Sequence, residues 1–241
     1  MNYIENLINP DRLLILWQSI NPGDDESTGR RFVVGEVYVE NNTLYLRYFD
    51  RADTREAQER HRFKGLTAYP YEPGKIYDGN VKDILAKRVA SPERLDYADY
   101  LRSYRIPPER ASELSLLQLL AYTGGKLTGD GFCFVPTFRS LTPPYDFVFE
   151  IAGFRHWKGM TINPITSLLD QDVSLIKEPE NEQDADAIAI YYDHKKIGYV
   201  PRGLATDLGD GIMDEYHVAA CVTKVNGTQE RPKISVLVRV S

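Results

Sequence analysis

The sequence predicts an α+β fold: a β-hairpin and helical domain over residues 1–140, then a small OB-type β-barrel with short helices over residues 145–241. Three observations predict it. β-Branched and aromatic runs crowd residues 12–17 and 30–50, a helical period runs from Tyr77 to Thr123, and about six strand-like runs share fewer than a hundred residues after a proline-rich stretch at 136–146. The 241 residues are enough for one large or two modest domains, each with a real core.

Residues 12–17, RLLILW, form a short apolar run suited to a buried strand, and residues 21–30, NPGDDESTGR, read as a loop. Two strand-like runs, at 30–39 and 43–50, flank Glu40, Asn41 and Asn42, so a hairpin is expected with asparagine at the positive-φ turn positions. The alternation of Leu44, Leu46 and Tyr48 gives that hairpin one apolar face. Residues 53–62, DTREAQERHR, interleave acids with bases and predict a solvated helix. Val81, Ile84, Leu85 and Val89 then share a helical face. Ser91 and Pro92 supply an N-cap and first position for a second helix carrying Tyr97, Leu101 and Tyr104. A third helix is expected from Pro107 and Pro108, with Leu114, Leu117 and Ala121 inward, until Gly124 and Gly125 stop it. The tyrosines of this region, at helical spacing, read as core.

Three prolines without apolar periodicity place the domain boundary within 136–146. Strand-like runs follow at 147–154, 172–177, 187–192, 195–200, 217–225 and 233–240, with short helices expected near 164–169 and 201–213. So many strands in so short a segment imply a curved sheet or barrel, because closure removes exposed edges.

The composition narrows the function. No apolar stretch reaches the roughly 18 residues needed to span a bilayer, and the first residues lack a basic then apolar leader. A cytoplasmic protein without membrane contact is expected. Cys133 and Cys221 lie far apart in apolar stretches and read as free thiols. The formal net charge of −6, with 10 Lys and Arg against 15 Asp and Glu in residues 145–241, excludes a binder that coats nucleic acid through bulk charge. Any such contact must be local. His61, His156, His194 and His217 stand on separate segments without zinc-ligand spacing, and no nucleophile elbow, Walker A or H-E-x-x-H pattern occurs. The glycine-rich TGGKLTGDG follows a helix instead of opening one, which argues against a phosphate loop. The expectation is a protein that is not an enzyme and uses no cofactor or metal.

Residues 151–160, IAGFRHWKGM, gather an arginine, a histidine, a tryptophan and a lysine within five positions. On a strand, alternation would send part of this set inward and part toward a ligand, which leaves Trp157 with two places, core or cleft. Gly153, Phe154, Arg155 and Trp157 make the first of three ordered blocks. Glu178, Pro179, Asn181, Asp184, Ala187 and Ile188 make the second, and Gly198, Tyr199, Val200, Pro201 and Arg202 the third. Together these blocks resemble the HIRAN domain, over about residues 145–241. The resemblance implies an OB-type barrel that grips the 3′-hydroxyl end of single-stranded DNA, alone or alongside a DNA-processing enzyme. In that reading Arg155, helped by Arg202, holds phosphate. Trp157, Tyr199 and His156 offer rings for stacking, and the Asp184 carboxylate accepts a hydrogen bond from the terminal hydroxyl. Two positions depart from the family pattern: His156 stands where a larger ring follows the arginine, and Gln183 where a ring precedes the aspartate. Both are poorer stacking surfaces. Asp184 reads equally well as a residue that shapes the turn before the strand at 187–192, and Asp186 reads chiefly as such a turn residue.

Residues 12–49 resemble, over a shorter stretch, the N-terminal β-subdomain of HipA-type serine/threonine kinases. Gly35, Glu36, Leu46 and Tyr48 are the matching positions, and Val37 replaces the usual leucine. That resemblance implies a second reading, an antitoxin-like regulatory partner that docks on such a kinase by protein contact. The kinase lobes themselves have no counterpart in the sequence.

Overall fold

The computed structural model describes residues 3–19, 31–138 and 141–241, and the loop expected at 21–30 lies outside them. The chain forms two compact units. One comprises Asn9–Tyr100 and Arg110–Ser140, and the other Met1–Ile8, Leu101–Glu109 and Leu141–Ser241.

The first unit is built on a five-stranded antiparallel sheet. Its strands are β1 (Arg12–Trp17), β2 (Phe32–Glu40), β3 (Thr43–Tyr48), β6 (Ile76–Tyr77) and β7 (Phe132–Pro136), in the order β6-β3-β2-β1-β7. A two-rung ladder joins β4 (Gly65–Leu66) to β5 (Tyr69–Pro70). Asn41 and Asn42 take φ of 48° and 62° in the β2–β3 turn, the left-handed pair that the sequence anticipates. Gly35 lies within β2. On the inner face Leu13, Ile15, Val37 and Leu46 are fully buried. The buried Tyr48 hydroxyl accepts from Leu66 N at 2.8 Å and donates to Tyr69 O at 2.9 Å, and burial pushes its pKa well above the ordinary phenol value.

Helix α1 (Ala52–His61) is charged as expected, yet it buries Thr54, Ala57 and His61 along one stripe and ends at Arg62 in the left-handed region. Val81 and Leu85 are the buried residues of α2 (Val81–Ala86). Helix α3 (Tyr97–Ser103) begins several residues after Ser91 and Pro92, which lie outside it. The third expected helix is two elements. A 3-10 helix spans Pro108–Glu113, and α4 (Leu116–Thr123) starts afresh at Ser115. The Ser115 hydroxyl accepts from Gln118 N at 3.2 Å, while the Gln118 side chain accepts from Ser115 N at 2.8 Å. This reciprocal capping box requires extended backbone at Ser115, so no helix continues through it. Gly124, with φ of 74°, terminates α4 where the sequence stops it.

The second unit contains two three-stranded antiparallel sheets. One has the order β12-β13-β8, from β8 (Tyr145–Glu150), β12 (Val218–Gly227) and β13 (Pro232–Val240). The other has the order β11-β10-β9, from β9 (Ser174–Lys177), β10 (Ile188–Tyr192) and β11 (Lys195–Tyr199). Two isolated bridges join them: Ala152, just beyond β8, pairs with Tyr199 of β11, and Asp172, just before β9, pairs with Cys221 of β12. The circuit β8–β11–β10–β9–β12–β13 thereby closes, and the small barrel expected from the strand density is formed. Gly198 permits one of these closures, because a Cβ there would lie 2.3 Å from Ile151 Cγ2 and 2.6 Å from Ala152 O. Helices α5 (Arg202–Asp207) and α6 (Met213–Glu215), joined by an irregular turn at 208–212, lie between β11 and β12 in the chain, where helix was expected. The buried Asp146 carboxylate accepts from Glu5 N at 2.7 Å, which ties the first residues of the chain into this unit. No helix among the described residues is long and apolar enough to cross a membrane.

Candidate functional site

The stretch at 151–160 is not a strand. Gly153 takes φ of 70°, a conformation that glycine reaches without strain, and a 3-10 turn over Phe154–His156 follows. That turn buries Phe154 and leaves Arg155 and His156 exposed. Trp157 resumes extended backbone and is half-buried.

A cleft of about 480 Å³ opens beside β11 and is lined by Trp157, Asp184, Tyr199 and Arg202 among others. Four of the six residues singled out from the sequence therefore come together. Arg155 and His156 do not line it. The expected pairing of Arg155 with Asp184 across one cleft is replaced by Arg202, whose Nε lies 3.4 Å from Asp184 Oδ2. The cause is local: with Phe154 inserted into the core, the next two side chains of a 3-10 turn are directed away from it.

Asp184 takes part in the turn and also faces the cleft. Its Oδ1 accepts from Asp186 N at 3.1 Å, which shapes the turn into β10, while Oδ2 faces Arg202 in the cleft. Asp186 belongs to the fold instead, its Oδ2 accepting from the Thr206 hydroxyl at 2.9 Å. Trp157 meets Tyr199 edge to face, with ring centroids 5.5 Å apart and an interplanar angle of 74°.

Beneath these rings lies a polar frame that site reasoning from the sequence missed. Lys196 Nζ is 2.5 Å from Glu178 Oε1 and donates to the Tyr199 hydroxyl at 3.0 Å. That hydroxyl donates to Glu178 Oε2 at 2.9 Å and accepts from Asn181 Nδ2 at 3.2 Å, so its one proton and both lone pairs are used. The Lys196 ammonium also sits 4.4 Å from the Trp157 ring centroid and 4.9 Å from that of Tyr199. Burial by itself raises the Glu178 carboxyl, but hydrogen bonds from Lys196, Tyr199 and Asn181 outweigh it and hold the group below its ordinary value. Burial likewise opposes the Lys196 charge, and hydrogen bonds to Glu178 and Tyr199 reverse the effect, leaving the ammonium above its ordinary value. Both groups are charged at neutral pH.

Lys196 and Tyr199 are three residues apart, so a regular strand would point them to opposite faces. Between β10 and β11 the register slips: Ile190 pairs with Gly198 and Tyr191 with Lys196, which leaves Ile197 as an extra residue. This bulge returns Tyr199 to the side of Lys196. Glu178 and Asn181 were visible in the sequence as members of the second block, although nothing there joined them to Lys196.

The family model of the HIRAN domain matches residues 144–241, the stretch over which the three blocks run. Two solved structures are similar to the chain. The crystal structure of the HIRAN domain of human HLTF shares 18% identity over 39% of this chain and 74% of that one, with a TM-score of 0.33. The crystal structure of a protein from Lactobacillus plantarum shares 18% identity over 40% of this chain and 99% of that one, with a TM-score of 0.32. No curated protein matches. The kinase-subdomain resemblance of residues 12–49 gains no support from these matches.

Proposed function

We propose that the HIRAN domain of this protein binds the 3′ end of single-stranded DNA in the cleft beside β11, and does so without chemistry. The observation that carries the reading is the convergence of an aromatic pair, Trp157 and Tyr199, with the Arg202–Asp184 pair in one cleft. A terminal base stacks on the rings, which the Lys196–Glu178 frame holds in place before any ligand arrives, so little ordering cost remains at binding. Arg202 donates to the last phosphate, and the Asp184 carboxylate accepts a hydrogen bond from the terminal hydroxyl. Arg155 and His156, exposed on the same turn that precedes Trp157, are available to the strand upstream of its end.

Glu178, Glu182 and Asp184 among the cleft residues outnumber Lys196 and Arg202, so a terminal phosphate is disfavoured and bulk charge contributes little. The salt dependence should accordingly be shallow, with a slope equivalent to about one or two phosphates. Fluorescence anisotropy with otherwise identical oligonucleotides ending in a 3′-hydroxyl or a 3′-phosphate tests the reading. The expected result is preference for the hydroxyl that Asp184→Ala abolishes, and at least a tenfold loss of affinity in Trp157→Ala. Equal binding of both ends, or no binding of either, overturns it.

A further inference from the structure

The outward face of the five-stranded sheet carries a second constellation, in the other unit. Cross-strand register sets it out in two rows. Tyr45 of β3, Tyr38 of β2 and Arg12 of β1 lie opposite one another, and in the adjacent row Ile76 of β6, Arg47 of β3 and Glu36 of β2 do the same. Tyr38 and Tyr45 stack with ring centroids 5.4 Å apart and planes 21° from parallel. The guanidinium carbons of Arg12 and Arg47 lie 5.4 Å and 5.5 Å from the Tyr38 centroid. Ile76, beside Arg47, is 51% exposed.

A buried carboxylate organises this face. Glu36 is 2% exposed; its Oε2 is 2.7 Å from Arg12 Nη1 and its Oε1 is 2.5 Å from Arg47 Nη2. Each arginine side chain nevertheless remains 41% exposed. One carboxylate between two guanidiniums leaves a net positive charge, and a guanidinium has five N–H donors, of which Glu36 takes only some. Both cations are thus fixed in orientation beside a ring pair, with donors left over for a ligand, although the protein as a whole is acidic.

We infer that this sheet face is a binding surface for the interior of a single-stranded nucleic acid, with Tyr45, backed by Tyr38, taking a base and Arg12 and Arg47 taking the neighbouring phosphates. Charge complementarity and the planar rings favour that occupant, since stacking on an aromatic accepts any base and requires no free end. An acidic peptide would satisfy the arginines but would leave the outer face of Tyr45 without a planar partner. The inference is independent of the cleft in the HIRAN domain.

A covalently closed, circular single-stranded oligonucleotide separates the two sites, because it offers no terminus. The full-length protein should bind it. Tyr45→Leu, which keeps a strand-compatible apolar side chain and removes the π face, should weaken that binding at least tenfold, while Asp184→Ala leaves it unchanged. Arg47→Gln, which leaves Glu36 paired with Arg12, should remove from the salt slope about one phosphate equivalent, roughly 0.7 in the log–log plot. No binding of the circle, or binding that Tyr45→Leu does not alter in a protein whose circular dichroism is unchanged, overturns the inference. Loss of 3′-end preference with circle binding intact would instead refute only the cleft.

Discussion

Replacing Lys196 by methionine keeps most of its apolar stem and removes its charge, and the structure allows the cost to be worked out. The bond to Glu178 at 2.5 Å joins two charged groups, an interaction worth about 1.5–3 kcal/mol. The ammonium over Trp157 at 4.4 Å adds about 0.5–1 kcal/mol. Stranding a buried carboxylate outright costs about 3–5 kcal/mol, but Glu178 keeps its Tyr199 and Asn181 donors and its side chain is 22% exposed, so that limit is not reached. The expected loss is about 2 kcal/mol of domain stability. The assay is urea denaturation of wild type, Lys196→Met, Glu178→Gln and the double variant, in a Trp17→Phe background so that Trp157 reports on the barrel. The double variant should lose less than the sum of the singles by about 1–1.5 kcal/mol. Independent sites add within about 0.5 kcal/mol, so a coupling no larger than that would refute the idea that this ion pair frames the cleft.

The same pair sets a pH window. Because the Glu178 carboxyl is held below its ordinary 4.5, its contribution is present above pH 4.5 and fades as pH falls through the lower folded value. Because Lys196 is held above its ordinary 10.5, its contribution is complete below pH 10.5 and fades above it. Stability measured against pH should therefore be level across the neutral range as far as this pair is concerned, and Lys196→Met should reduce the fall on the acid side. Ser115→Ala removes one half of the capping box of α4 and should cost about 1 kcal/mol by thermal unfolding, with Ser115→Asp restoring most of it. Asp146→Ala leaves the Glu5 amide without its acceptor at 2.7 Å, and should cost about 2 kcal/mol while hydrogen exchange at Glu5 and Asn6 accelerates. Unchanged exchange there would show that the first residues are held by other contacts.

Much of the fold was legible because it is written in local periodicity. The alternation around Asn41 and Asn42 fixes a hairpin, Gly124 ends a helix, and three spaced blocks between residues 153 and 202 carry a resemblance to the HIRAN domain, whose family model matches residues 144–241. Each of those signals lies within a few residues of what it specifies. Ser115 shows the limit of such reading, since a helical pattern around Leu114 and Leu117 conceals the cap that divides it.

Tertiary structure decided the rest through contacts between distant segments. Burial of Phe154 turns Arg155 out of the cleft, and the slip of β11 against β10 brings Lys196 and Tyr199 to one side, where Glu178 and Asn181 wait on another segment. Residues 1–8 and 101–109 join the C-terminal barrel unit, an allegiance that no short-range pattern records. The physical reason is common to all three. A strand's register and a turn's handedness follow from which backbone groups and apolar side chains find partners far along the chain, and a one-residue difference in that pairing reverses the side on which every following side chain emerges.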